Sequence, residues 1–358
     1  MPPSGPPPVP PGWPGPGYPP AGYPPPGHPG YPSAAPGYPP PGYPPPHPGA
    51  PWAPAWKPGV IPLRPLLLSD IFNGAITYIR TNPVATLGLT TAIVVLTTIL
   101  QLVVEVAGPA SNTDAASITR SLGAALTAAL ATLLLSGMLT VVVARAVLGR
   151  SITISEAWQR VRGRLGALVA LSVLEIVAAA LLVTAVAAVI VGVGRAANGP
   201  LAALVGIPLG LLTLIGLVYL VIMLTFAPVA IVLEHASVPD AIRRSFVLAR
   251  NHFWRILGVR ALAALVAGVI SAAVAVPFGI LSALLSAGEE SGQMALVSAV
   301  VAAVGSAIGQ IITAPFSAGV VVLLYVDARI RSEAFDLALQ TGVTRGADAD
   351  GLWLSTPR

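Results

Sequence analysis

The sequence predicts an all-α integral membrane protein. The expected architecture is a six-helix transmembrane bundle built from three repeats of one interfacial helix plus two spans, behind a disordered N-terminal tail. Three observations carry this. Apolar residues make up 55% of the 358-residue chain and charged residues only 9%. Soluble domains carry about 25% charged residues, so lipid must serve as part of the solvent. Six long uncharged or nearly uncharged runs follow Pro83, and the basic residues gather in alternate connections between them.

The tail comes first. Residues 1–58 loosely repeat Pro-Gly-Tyr-Pro-Pro, with tyrosines at Tyr18, Tyr23, Tyr31, Tyr38 and Tyr43. Proline fixes φ and lacks an amide donor, so polyproline II broken by flexible glycines is expected. Such a tail is either a spacer or a multivalent docking strip. In the second case its tyrosines, with Trp13, Trp52 and Trp56, would stack on cytoplasmic proteins. No basic stretch followed by an apolar one opens the chain, so no cleaved signal peptide is expected. There is no cysteine, which excludes disulfides, thiolate metal sites and thiol nucleophiles. Lys57 is the only lysine, and with the Ala/Val/Gly/Pro bias this points to a high-GC bacterium.

A bilayer core is crossed by about 20 apolar residues. Spans are expected at about 84–107, 121–148, 165–194, 200–233, 256–287 and 294–326, within a membrane domain covering 59–340. Residues 341–358 are expected to form a flexible C-terminal tail. The fourth and sixth runs are long for one untilted helix, so tilting, or a break at Pro208, Pro228 or Pro315, is expected. Pro277 is placed to kink the fifth. With the N-terminus inside, 17 of the 19 basic residues face the cytoplasm, and only Arg120 and Arg195 lie outside. The positive-inside rule therefore predicts a multi-pass plasma-membrane protein with both termini cytoplasmic. The arginines read as anchors to anionic headgroups, and nucleic acid is not an expected partner.

The segments before spans one, three and five resemble one another. They read Leu68-Ser69-Asp70-Ile71-Phe72, Ile154-Ser155-Glu156-Ala157-Trp158 and Val238-Pro239-Asp240-Ala241-Ile242. Each predicts an amphipathic interfacial helix with an acidic cap, at a period of about 85 residues. The expected apolar faces are Leu68, Ile71, Phe72, Ala75, Ile76 and Ile79; then Ile154, Trp158, Val161 and Leu165; then Ile242, Phe246, Ala249 and Phe253. After span six, Tyr325–Leu337 alternates acidic and basic residues. Asp327, Arg329, Arg331 and Glu333 mark a charged cytoplasmic helix end with pairs at i,i+4. It reads either as self-satisfied, with loop arginines as further partners, or as a partner-docking site.

No catalytic, cofactor or metal site is expected. His28 and His47 fall in the tail, and His235 and His252 lack metal-ligand spacing. No phosphate-binding loop, dinucleotide fingerprint or nucleophile elbow is present. Gly206 and Gly210 have the spacing of close helix packing. The candidate intramembrane polar site is Glu175, with Gln310 and Gln101 as interior bonding partners. Buried carboxylates in membranes mark ion or proton paths. A structural hydrogen bond or an interfacial position is the plainer reading of Glu175.

Leu63-Arg64-Pro65-Leu66 through Asp70-Ile71, Arg243-Arg244-Ser245-Phe246, Phe253-Trp254 and the closing Tyr325–Glu333 string carry a resemblance. Across roughly residues 60–340 the chain resembles the membrane domain associated with bacterial glycerophosphoryl diester phosphodiesterases, in its stand-alone actinobacterial form. The resemblance implies a membrane bundle without enzyme activity, since phosphodiester cleavage belongs to a separate catalytic domain that this sequence does not contain. It brings no functional residues with it. Two functions follow from the sequence. The leading one is a non-enzymatic scaffold or adaptor whose tail recruits cytoplasmic partners. The alternative is a transporter or lipid-handling protein. A dry bundle interior favours the first, and a cavity lined by Glu175 and Gln310 favours the second.

Overall fold

The computed structural model describes residues 57–107, 114–196, 199–287, 292–344 and 351–354. Helix makes up 88% of them and none lies in a strand. Residues 1–56 of the predicted tail, and part of the predicted C-terminal tail, lie outside the described residues. Among the described residues, six helices are long and apolar enough to cross a membrane.

The chain enters through an irregular, bent segment, residues 57–67, and α1 (Leu68–Thr81). A short π-helical turn (Val84–Gly88) leads into α2 (Leu89–Ala107), and α3 (Asp114–Val147) follows. Then come α4 (Ile154–Arg162), α5 (Leu165–Ala196), α6 (Gly199–Leu224) and α7 (Ala227–Leu233). The chain continues through α8 (Val238–Arg250), α9 (Phe253–Ser286), α10 (Gly292–Glu333) and α11 (Phe335–Thr344).

The short helices α1, α4 and α8 begin on acidic caps. The Leu67 N–H donates to the Asp70 carboxylate at 3.0 Å. Thr153 and Glu156 bond reciprocally, N–H of each to side chain of the other, at 3.1 and 3.3 Å. Ser237 accepts from the Asp240 N–H at 3.4 Å and donates to its carboxylate. An acidic group in the first turn also complements the positive end of the helix dipole. For Glu156 these backbone and side-chain bonds to Thr153 hold the carboxyl below its usual range.

The buried faces are rotated from the predicted stripes. In α1 the core takes Ile71, Ala75 and Tyr78, while Leu68 and Ile76 stay exposed. In α4 Ala157 and Val161 are buried, and Ile154 and Trp158 are not. In α8 Ala241, Ser245, Leu248 and Ala249 are buried, and Ile242 and Phe246 only partly. Each apolar stripe is wider than the protein face it packs on. The remainder suits a bilayer interface, as do the outward-facing Trp158 and the 80% exposed Trp254.

Of the prolines expected to break long runs, only Pro228 marks a break. Pro208, Pro277 and Pro315 sit inside continuous helices. The break at Thr225–Phe226 is possible because Ser245 of α8 replaces the missing ladder. Its hydroxyl donates to the Met223 carbonyl and accepts the Phe226 N–H at 3.1 Å. Ser245→Ala leaves both groups buried without a partner, and the expected loss of stability is about 1–3 kcal/mol. Thermal unfolding in detergent micelles checks it, and an unchanged midpoint would contradict this role for Ser245.

Burial is uneven along the spans. At one end, where the arginines gather, Leu139, Val143, Phe226, Ile231, Leu248, Leu323 and Tyr325 form a dense core. Tyr78 of α1 is fully buried there, its hydroxyl donating to the Pro315 carbonyl and its ring lying against Gly319. Away from that end packing thins. Among the described residues, Leu171 is the last buried residue of α5 and Ile222 the first of α6. Gly206 of the predicted close-packing pair faces Ile190, whereas Gly210 faces open space.

Candidate functional site

Between α3, α5, α6, α9 and α10 lies a cavity of about 590 Å³. Its wall is mostly Leu, Val and Ala, as expected of a space between apolar spans. Into it the sequence places a few polar groups. Thr132, Ser136 and Thr140 recur every four residues along one face of α3. Glu175 enters from α5, Arg260 from α9, and Gln310 and Ser317 from α10. Glu175 lies ten residues beyond Leu165, ~15 Å along the helix. It also lines an adjoining cavity of about 260 Å³ that reaches Leu168, Leu171 and Ser172.

Arg260 is the opposing charge. Its guanidinium donates to the Thr225 hydroxyl, which in turn donates to the Val221 carbonyl at 2.7 Å. Thr225 is at the helix break, so the break itself supplies the arginine's anchor. Glu175 and Arg260 line the same cavity, within electrostatic reach of one another. A carboxylate and a guanidinium in an otherwise apolar chamber can bind dipolar or charged groups strongly, because little water screens them.

The structure therefore brings Glu175 and Gln310 to one cavity. It does not bring Gln101, since α2 contributes nothing to the lining. Gln101 is half-buried on a helix that packs against α3 and α10 instead. Arg260 is the residue the sequence reading missed as a site group. Its signal was its place inside the predicted span 256–287, where a rim anchor does not belong.

The charged helix end is a separate structure, and it is closed on itself. Glu234, its side chain 3% exposed, accepts from Arg244 Nε at 3.0 Å and from the Tyr325 hydroxyl. Arg329 lies 3.4 Å from the same carboxylate and donates to Glu333 at 3.1 Å. Glu333 also accepts from Arg244 at 2.8 Å. Burial works against the charge of Arg244, but its bonds to Glu333 and Glu234 win and hold its pKa above the usual range. Arg329 stacks 3.8 Å from the Phe335 ring centre and donates to the Trp353 carbonyl. Beside this, Asp327 accepts from the Leu66 N–H at 2.8 Å and from Arg255 and Arg331 at 2.9 Å each. Both arginines also donate to the Leu66 carbonyl. The i,i+4 pairs of the sequence are present, and α8 and α9 add Arg244 and Arg255.

Residues 66–328 match the family model of a domain of unknown function, DUF7847. The chain belongs to that family. The match begins at Leu66 and ends one residue after Asp327, so the two ends of the DUF7847 domain meet in the Leu66–Asp327 hydrogen bond. Every residue of the cavity wall lies inside it. No curated protein and no solved structure matches the chain. Among the described residues no cluster of His, Asp and Glu has the makings of a metal site.

Proposed function

We propose that the DUF7847 domain takes a lipid or lipid-like amphipathic molecule from the bilayer into the bundle cavity. The polar part would rest against Glu175, Arg260 and Gln310, and the apolar part against α6 and α10. The single supporting observation is the opposed carboxylate and guanidinium inside a membrane-depth apolar chamber. Charges at such depth are costly and tend to be functional. A dry interior favoured the scaffold reading and a cavity lined by Glu175 and Gln310 the transport or lipid-handling alternative, so the cavity supports the alternative. In this proposal the arginine-rich end faces the cytoplasm, as the positive-inside rule requires. The three units, α1 with α2 and α3, α4 with α5 and α6, and α8 with α9 and α10, form a threefold repeat, supported by the common acidic cap. Kinship with the phosphodiesterase-associated membrane domain belongs to the same proposal and rests on the residue strings alone. Recruitment of cytoplasmic proteins by the tail is compatible with it and rests on the composition of 1–58.

A photoactivatable phospholipid in proteoliposomes tests the cavity. Crosslinks are expected on the cavity wall, within 132–140 and 217–228, in addition to the outer faces of α5 and α9. Glu175→Gln with Arg260→Gln is expected to lower the wall crosslinks about tenfold and leave the outer ones unchanged. Labelling confined to the outer faces in the parent protein would overturn the reading.

A further inference from the structure

The two charges of the bundle cavity are not joined to each other. Among the described residues no hydrogen bond or ion pair holds the Glu175 carboxylate, and the Arg260 guanidinium makes one bond, to Thr225. Elsewhere this chain pairs its buried charges closely. Arg244 lies 3.0 Å from Glu234, and Arg255 and Arg331 each lie 2.9 Å from Asp327. A carboxylate and an arginine kept apart in one apolar chamber depart from that pattern. Both are open to the cavity as well. Among the described residues the one buried side-chain polar atom without a partner is Nδ1 of His252, so neither the Glu175 oxygens nor the spare Arg260 N–H groups are sealed in protein.

This arrangement selects among ligands by charge. An anionic headgroup would suit Arg260 but be repelled by Glu175, and a cationic one would meet the reverse. A group carrying both charges satisfies both residues and fills the gap between them. The character of the wall narrows the cation. Among the described residues no aromatic side chain lines this cavity. Quaternary ammonium groups are held by the faces of aromatic rings. A primary ammonium instead brings N–H donors, which an unbonded carboxylate accepts in charge-assisted bonds. On the other side, a guanidinium with free N–H groups matches phosphate oxygens in geometry and charge. The leucines and valines of α3, α6 and α10 that make up much of the wall offer the rest of the ligand an apolar surface.

We propose that the cavity selects a zwitterionic phospholipid with a primary ammonium, of the phosphatidylethanolamine class, its ammonium on Glu175 and its phosphate on Arg260. This rests on the reading of the cavity as a lipid site and adds the headgroup to it. The same polar chemistry is carried by free phosphoethanolamine, which lacks the chains that the apolar wall would cover.

The test uses the full chain in vesicles of phosphatidylcholine and phosphatidylglycerol. Trace phosphatidylethanolamine, phosphatidylcholine and phosphatidylglycerol, each with the same photoactivatable acyl chain, are added separately. The readout is the ratio of crosslinks on the cavity wall to crosslinks on the outer faces of α5 and α9, which corrects for bulk lipid. The ratio is expected to be about tenfold higher for phosphatidylethanolamine than for either other lipid. In Glu175→Gln the preference over phosphatidylglycerol should disappear, because the repulsion and the acceptor for the ammonium go together. In Arg260→Gln the ratio should fall for all three lipids. Thermal unfolding confirms that the variants remain folded, and the headgroup series in the parent protein stands without them. Equal wall labelling by the three lipids would overturn the headgroup assignment and leave the cavity a lipid site. Wall labelling by none would overturn both. Phosphatidylcholine labelling as strong as phosphatidylethanolamine would show that Glu175 accepts no N–H donor, and would also overturn the proposal. Soluble phosphoethanolamine is expected not to compete, and competition at the concentration of the lipid would overturn the assignment to a phospholipid.

Discussion

Replacing Glu234 by alanine is expected to lower stability by about 3–5 kcal/mol. The reason is the number of groups that converge on one buried carboxylate. Arg244 and Arg329 are drawn to it from α8 and α10, and the Tyr325 hydroxyl donates to it from a fully buried ring. Removing the carboxylate leaves two cations sharing only Glu333 and leaves a phenol unsatisfied in the core. Thermal and denaturant unfolding in micelles measure the loss. A cycle with Tyr325→Phe separates its parts. The tyrosine change should cost less in the alanine background than in the parent, because the hydroxyl has already lost its acceptor. A loss below about 1 kcal/mol would show that the network is solvated rather than structural.

The second large effect is expected at Gly59. The entry segment lies so close to the end of α3 that a Cβ there would overlap the carbonyl oxygens of Ala146 and Val147. The Val60 N–H bonds to the same Ala146 carbonyl at 3.2 Å. Opposite it, Gly149 holds φ at +70° and has no room for a Cβ beside the Pro58 carbonyl. Both obstacles are backbone, which cannot swing aside as a side chain can. Gly59→Ala is expected to cost about 3 kcal/mol and to free residues 57–62 from α3. Limited proteolysis reads the second part. Cleavage in that segment should appear in the variant at protease levels that leave the parent intact. Equal resistance would mean that the helix end yields.

The helices were legible because the bilayer dictates their length. The sixth expected span, 294–326, falls inside α10, the fifth, 256–287, runs one residue past the end of α9, and the third, 165–194, ends two residues short of α5. The extension of α10 to Glu333 was legible only as a charge pattern, since hydropathy ends at Val326. Its i,i+4 pairs could be read locally. Pairing of Arg244 with Glu333, 89 residues away, could not, because nothing local distinguishes a bridging arginine from a headgroup anchor. The candidate site divides in the same way. Glu175 stood out as a charge in an apolar run. Arg260 was hidden by sitting near the arginine-rich edge, and Gln101 misled because a polar residue on a span can serve helix packing as well as a cavity.

The uneven burial of the spans has a mechanical consequence. Among the described residues, the α5–α6 pair is a cantilever, buried against the rest of the protein up to Leu171 and from Ile222, and touching it beyond only at partly exposed residues such as Tyr219, which packs on Phe253. About 25 residues of α5 project past that fixture, ~37 Å of helix, so a tilt of about 5° there sweeps the tip through about 3 Å. Such a tilt stretches no ion pair, since the Glu234 and Asp327 networks tie other elements together at the opposite end. The width of the gap between α6 and α10 is therefore expected to follow the pressure and thickness of the surrounding lipid.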